Sequence, residues 1–421
     1  MTEKLLQFIW QLQYFNRNEL CTEQGEPLQI IVPGSWNTNQ GPDFLSAKIR
    51  IGETLWAGNI ELHINTSDWF RHSHQTDSNF KNIVLHVVWH NDEPADTPVF
   101  HLPVLELQPR VSNLLLQRYE EWMQNMLFVP CENTVHLVNE LTLIKWKERL
   151  MIERLQRKST YILELYKRNR WHWEETFWWL IARNFGIRVN ADAFEAVAQS
   201  LPINILTKHK SQINQLESLL FGQAGLLEAR FEEDYPRMLQ KEYRYLRKKY
   251  QLQKVFVALK FLRMRPSSFP SIRLAQLAML IQQSTHLFSR IKEIRSLQEV
   301  RELLNTTAND YWHYHYRFDE KSGYKVKKLG EDMVDNILVN TIVPILYAYG
   351  SYHGELQYIN KALEWMAEIM PENNRITRGW SQTGVRNKNA YDSQSLLELK
   401  TQYCDHKRCL ECSIGNALLK V

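Results

Sequence analysis

Leu5, Ile9, Leu12 and Phe15 recur at helical spacing, which predicts an opening helix that ends near residues 16–18. The period then changes to two. Leu28–Val32 is a short β-rich run closed by Pro33-Gly34, and in Phe44–Ile51 the positions Phe44, Ser46, Lys48 and Arg50 oppose Leu45, Ala47, Ile49 and Ile51. Residues 55–64 form a further strand interrupted by Gly58. The nearly continuous apolar run 83–89 predicts a central strand covered on both faces. A compact α/β domain of order helix, three strands, short helix, strand therefore ends near Pro109.

Helical patterning dominates beyond that point. Candidate helices are 111–126, 141–166, and the Trp-rich 171–185 with Gly186 as its C′ residue. A capped start at 190–195 follows, then 216–227 and 235–262. Pro266 and Pro270 force a corner before 272–283. The aromatic alternation of 311–326 suits a strand or hairpin, and 333–348 and 356–370 return to helix. The chain thus divides into an α/β domain (1–109), a large mostly α-helical region (110–400) and a cysteine-rich tail (401–421).

At 421 residues the length suits two or three domains, and 15 Gly against 14 Trp favours long helices over a turn-rich β protein. Charge is unevenly placed. Residues 1–140 carry 8 Lys/Arg against 17 Asp/Glu, a net of −9, and the remainder carries 43 against 30, a net of +13. An asymmetry of this kind points to an anionic partner for the basic part. Five cysteines and no secretory apolar segment predict a reducing, cytoplasmic setting. With no run near the ~18 apolar residues of a spanning helix, no membrane association is expected.

The sharpest chemistry lies at Gly41-Pro42-Asp43 and Glu61-Leu62-His63. On neighbouring strands, alternation sets Glu61 and His63 on one face with Leu62 in the core, so Asp43 and Glu61 converge as hard oxygen ligands for Mg²⁺ or Mn²⁺. The bland alternative has Asp43 capping a turn and Glu61 solvated. These residues, within that order of elements, resemble the restriction-endonuclease-like PD-(D/E)XK nuclease superfamily over about residues 1–109. The resemblance implies an αβββαβ core, within an α+β or α/β fold class, and catalytic roles for Asp43, Glu61 and His63. His63 stands where that family has a lysine. His72, His74 and Asp77 form an accessory group that could add metal ligands or a general acid. The whole chain also resembles an uncharacterised, Bacteroidetes-type domain-of-unknown-function family, through Gly41-Pro42-Asp43-Phe44, Glu61-Leu62-His63, Leu85-His86-Val87-Val88, Arg265-Pro266-Ser-Ser-Phe269-Pro270 and the cysteine tail.

In that tail Cys404, Cys409 and Cys412 supply three thiolates, with Cys131 or His406 as the fourth ligand to zinc or an iron–sulfur cluster. The competing reading is three small buried residues. Finally, Arg244, Arg247, Lys248, Arg263, Arg265, Arg273 and Arg317 are interleaved with aromatics, a pattern that neutralises phosphates and stacks on bases. Two functions are expected on these grounds: a Mg/Mn-dependent nuclease acting on DNA or RNA, or a catalytically inactive nuclease-fold protein that binds nucleic acid or ribonucleoprotein.

Overall fold

The computed structural model describes residues 1–93, 102–284 and 286–420. It is a mixed α+β protein with an N-terminal sheet and a large helical region. Contacts divide it into two compact units, one of residues 1–146, 379–385 and 399–421, the other of 147–378 and 386–398.

In the first unit, helix α1 (Glu3–Leu12) begins at Thr2, whose hydroxyl accepts the Leu5 N–H at 3.3 Å, and buries Leu5, Leu6, Phe8, Ile9 and Trp10. The sheet contains β1 (Leu28–Val32), β2 (Ser35–Trp36), β3 (Phe44–Ile51), β4 (Thr54–Asn65), β5 (Ile83–His90) and β6 (Val104–Glu106). Its order is β1-β3-β4-β5-β6, with β2 also on β3. β1, β3 and β4 run antiparallel, whereas β5 pairs parallel with β4 and with β6. The short helix α2 (Asp68–Arg71) and a 3₁₀ turn (Ser78–Phe80) connect β4 to β5. Ile83 to Val88 are all buried, as befits a strand between two others and covered on both faces.

Two details of β3 and β4 depart from simple alternation. Ser46 has φ 59° and the β3–β4 register shifts between Phe44 and Ala47, so β3 carries a bulge. Phe44 therefore joins Ala47, Ile49 and Ile51 on the buried face while Leu45 is exposed, the reverse of the expected pairing of positions 44 and 45. Phe44 lies opposite Ile60, so the extra residue moves Asp43 to the face that carries Glu61. Gly58 does not interrupt β4. A Cβ there would meet Val84 Cγ1 at 2.4 Å and the Asn82 carbonyl at 2.6 Å, so glycine lets the neighbouring strand approach.

The second unit is helical, with a large core that includes Phe177, Phe185, Phe194, Phe221, Phe288, Trp312 and Trp365. Three sequence expectations change. Gly186 keeps a helical φ of −67°, and helix Ile187–Ser200 starts immediately after Trp173–Phe185; a Cβ at Gly186 would lie 2.5 Å from the Asn190 carbonyl, so close packing explains the glycine. The helix expected over 235–262 ends at Tyr250, because Gln251 turns left-handed at φ 51°. Residues 311–326 form a 3₁₀ turn (Asp310–His313) and a minimal hairpin of His315–Arg317 with Glu320–Lys321. One continuous helical stretch, Glu331–His353, is long and apolar enough to cross a membrane, but 78% of its apolar window is buried, which makes it a core helix here.

Candidate functional site

Asp43 and Glu61 meet through their backbones. The Asp43 N–H donates to Glu61 Oε2 at 3.1 Å, and the Leu62 N–H donates to Asp43 Oδ2 at 3.0 Å. Gln7, from α1, donates its amide to Asp43 Oδ1 at 2.8 Å and fixes the carboxylate's rotation. Burial and then the neighbouring carboxylate push Glu61 up to about 9, and burial pushes Asp43 up to about 6. Both therefore hold a proton more tightly than an ordinary carboxyl, and either a proton or a cation offsets their charge.

The other oxygen of Glu61 faces imidazoles. Oε1 lies 3.6 Å from His63 Nε2 and 3.5 Å from His74 Nε2. His63 Nε2 is also 3.1 Å from His72 Nδ1, and the ligand atoms of His63, His72 and His74 all lie within 4.8 Å of one another. On its far side His63 Nδ1 meets His86 Nε2 at 2.8 Å, His86 lying opposite Glu61 on β5. Burial, then its histidine neighbours, drives His63 down to about 3, and burial likewise lowers His74 and His86. The rings are held neutral, so they offer lone pairs rather than charge.

The loop after β4 shapes this cluster. Ser73 sits at φ 60° between His72 and His74, turning the chain so that both rings reach His63. Beneath them Trp69, Phe80 and Ile83 form a small apolar core, with His74 stacked on Phe80 at 3.8 Å. Asp77 does not join the ligand atoms: its carboxylate accepts the Asn79 N–H at 2.9 Å and caps the 3₁₀ turn. His86 stands in the sequence as the histidine of the apolar strand that follows His72 and His74, and its contact with His63 joins it to their group.

The first unit also gathers Cys131 and Cys412 with Cys404 and Cys409, close enough for each to act on another's ionisation. Burial, followed by these neighbours, raises Cys131, Cys404 and Cys409, the last to about 12, and burial raises Cys412 to about 11. All five cysteines are free of disulfides. His406 is exposed. Among the described residues, no three of the thiols share a 4.8 Å radius.

The basic residues of the second unit separate into three kinds. Arg244, Arg247, Lys248, Arg263 and Arg265 are exposed. Arg317 lies over Phe261 at 4.9 Å and Phe269 at 5.1 Å. Arg273 leaves the basic surface altogether, buried with its guanidinium on Gln276 at 3.0 Å, because its helix Pro270–Gln283 is covered on nearly every side. A grouping not anticipated from the sequence is a cavity of about 530 Å³ lined by Arg157, Lys158, Arg183 and Arg188 with Asn184 and Asn340. Lys158 donates to Asn340 Oδ1 at 2.8 Å from a π-helical turn (Leu338–Ile342).

Residues 3–375 match the family described as protein of unknown function (DUF2851), and the chain belongs to that family. No curated protein and no solved structure matches it.

Proposed function

We propose that this DUF2851 protein is a metal-dependent, nuclease-like protein acting on DNA or RNA phosphodiester bonds. The observation that carries the reading is the meeting of Asp43 and Glu61 on one sheet face beside His63. The helix, antiparallel β1-β3-β4, helix and parallel β5 frame supports a restriction-endonuclease-like core. A divalent cation fits the two carboxylates, since burial of both, and the charge of Asp43 beside Glu61, disfavour their charged forms without one. Asp43 and Glu61 would hold Mg²⁺ or Mn²⁺, which when bound polarises a phosphodiester oxygen and acidifies water. Gln7 and the Leu62 amide orient Asp43, and the Asp43 amide orients Glu61. His63 differs from the lysine of the resembling family: it is neutral, and it supplies a nitrogen rather than a positive charge.

That neutrality favours a second reading, a nucleic-acid or ribonucleoprotein binder without catalysis. Exposed Arg244, Arg247, Lys248, Arg263 and Arg265 would serve either reading by neutralising phosphates. The test incubates labelled single- and double-stranded DNA and RNA with wild type, Asp43→Ala and Glu61→Ala in Mg²⁺ and Mn²⁺. Cleavage by wild type alone supports the nuclease. Binding without cleavage supports the second reading, and neither binding nor cleavage ends both.

The four cysteines are proposed as a structural metal or cluster site. A single zinc ion needs sulfurs about 3.8 Å apart, from Zn–S bonds of about 2.3 Å. Zinc, iron and acid-labile sulfide measured in anaerobically purified protein separate a zinc site from an iron–sulfur cluster.

A further inference from the structure

We propose that His63, His72 and His74 hold a zinc-class transition-metal ion, with Glu61 as the adjoining carboxylate. The site shares Glu61 and His63 with the proposed reaction, but the ion's presence does not rest on that reaction.

Geometry is the first support. Ligand atoms bonded at about 2.0–2.2 Å in a tetrahedron stand about 3.3–3.6 Å apart. His63 Nε2 and His72 Nδ1 are 3.1 Å apart, and Glu61 Oε1 lies 3.6 and 3.5 Å from His63 Nε2 and His74 Nε2. Three imidazole nitrogens from two short segments, Glu61-x-His63 and His72-x-His74, thus gather within 4.8 Å of one another, with Glu61 Oε1 beside two of them. The spacing of each pair has its own cause: strand alternation for the first, and the left-handed Ser73 for the second.

A second observation is His74 Nε2, a buried nitrogen that makes no hydrogen bond among the described residues although Glu61 Oε1 lies 3.5 Å away. A buried polar atom left in this way is disfavoured unless something else occupies its lone pair. The third is the shell outside the ligands. His63 Nδ1 is 2.8 Å from His86 Nε2, so a proton carried on His63 Nδ1 leaves the Nε2 lone pair pointing at the common site. Histidine ligands are habitually oriented by an outer partner in this manner. Trp69 and Phe80 wall the rings on the protein side.

Donor chemistry then selects the ion. Three imidazoles and one carboxylate suit zinc, cobalt, iron or nickel, whereas Mg²⁺ prefers oxygen and would leave the nitrogens idle. Glu61 divides its two oxygens between the settings, Oε2 toward the Asp43 amide and Oε1 toward the imidazoles.

The experiment measures metal rather than cleavage. Full-length wild type and a His72→Ala/His74→Ala variant are stripped with chelator, loaded with Zn²⁺ or Co²⁺, desalted and analysed for bound metal. Both replaced side chains lie in the loop outside the sheet, and circular dichroism verifies the fold. The variant is expected to lose about one equivalent per chain, together with the visible d–d absorption of a nitrogen- and oxygen-ligated Co²⁺. Equal metal content and spectra in the two proteins would overturn the site, as would wild type that takes up neither ion. Should the double variant misfold, Glu61→Gln and His72→Ala singly must weaken Co²⁺ affinity at least tenfold; unchanged affinity is again fatal. Zinc bound here without any cleavage preserves this inference and removes the nuclease reading, whereas Mg²⁺-dependent cleavage by protein that takes up neither Zn²⁺ nor Co²⁺ preserves the nuclease reading and removes this inference.

Discussion

Glu217 and Glu61 are buried carboxylates, one in each compact unit, and their surroundings differ in kind. Glu217, fully buried, receives the Trp312 indole N–H at 3.0 Å and the Tyr235 hydroxyl at 2.9 Å. Its donors come from protein, and burial raises it only to about 7. Glu61 receives one backbone N–H and otherwise faces a carboxylate and neutral rings, and it is pushed up to about 9. A carboxylate satisfied by fixed donors is part of a core. One surrounded by other electron pairs is shaped for a cation that the chain itself does not supply.

The comparison can be broken most forcefully at Glu217. Glu217→Ala strands two buried donors and opens a cavity, and should destabilise by about 3–5 kcal/mol in urea unfolding. A change below about 1 kcal/mol would mean that the cluster is not structural. Glu61→Gln should do the opposite in metal-free protein, raising stability by about 1–2 kcal/mol because a carboxyl whose charge burial, and then Asp43, disfavours gives way to a neutral amide, while abolishing any gain from added metal. A melting temperature of Glu61→Gln that still falls in chelator contradicts this assignment.

The pH dependence sharpens the same contrast. Glu61 and Asp43 bind protons more tightly folded than unfolded, so their contribution is fully present below about pH 4 and is lost as pH rises through about 6 and about 9. Metal-free wild type should lose stability across that range, and Glu61→Gln should flatten its upper part. Glu217 has the same sign but a narrower window, declining from its ordinary 4.5 through about 7. Glu217→Gln should flatten only that interval, as read by thermal melts at fixed ionic strength. The smallest structural effect is expected at the exposed basic face: Arg244→Ala with Lys248→Ala should change stability by less than about 0.5 kcal/mol. If the nucleic-acid reading holds, the same pair should reduce the salt dependence of binding by about two phosphate contacts.

Much of the first unit was legible because its information is local. The period of α1, the apolar run of β5 and the i,i+2 placement of Glu61 and His63 are all written in adjacent residues. The bulge at Ser46 was not, since serine carries no strong demand for φ 59°, yet that residue decides which face Asp43 occupies. Arg273 was misplaced for a related reason. A basic residue in an apolar helix reads as surface until the helix is known to be enclosed.

The sequence by itself determined the two-part character of the protein, acidic and sheet-forming first, basic and helical after, because composition and short-period patterning act within a few residues. It also marked Asp43, Glu61, His63 and the cysteines as chemistry-bearing. Only the tertiary structure decided that His72, His74 and His86 gather around His63, that Glu61 offers one oxygen to each neighbour, and that Cys131 joins thiols almost three hundred positions away. Such convergence depends on strand register, one left-handed residue and long-range packing, and none of these has a period that a linear pattern can display.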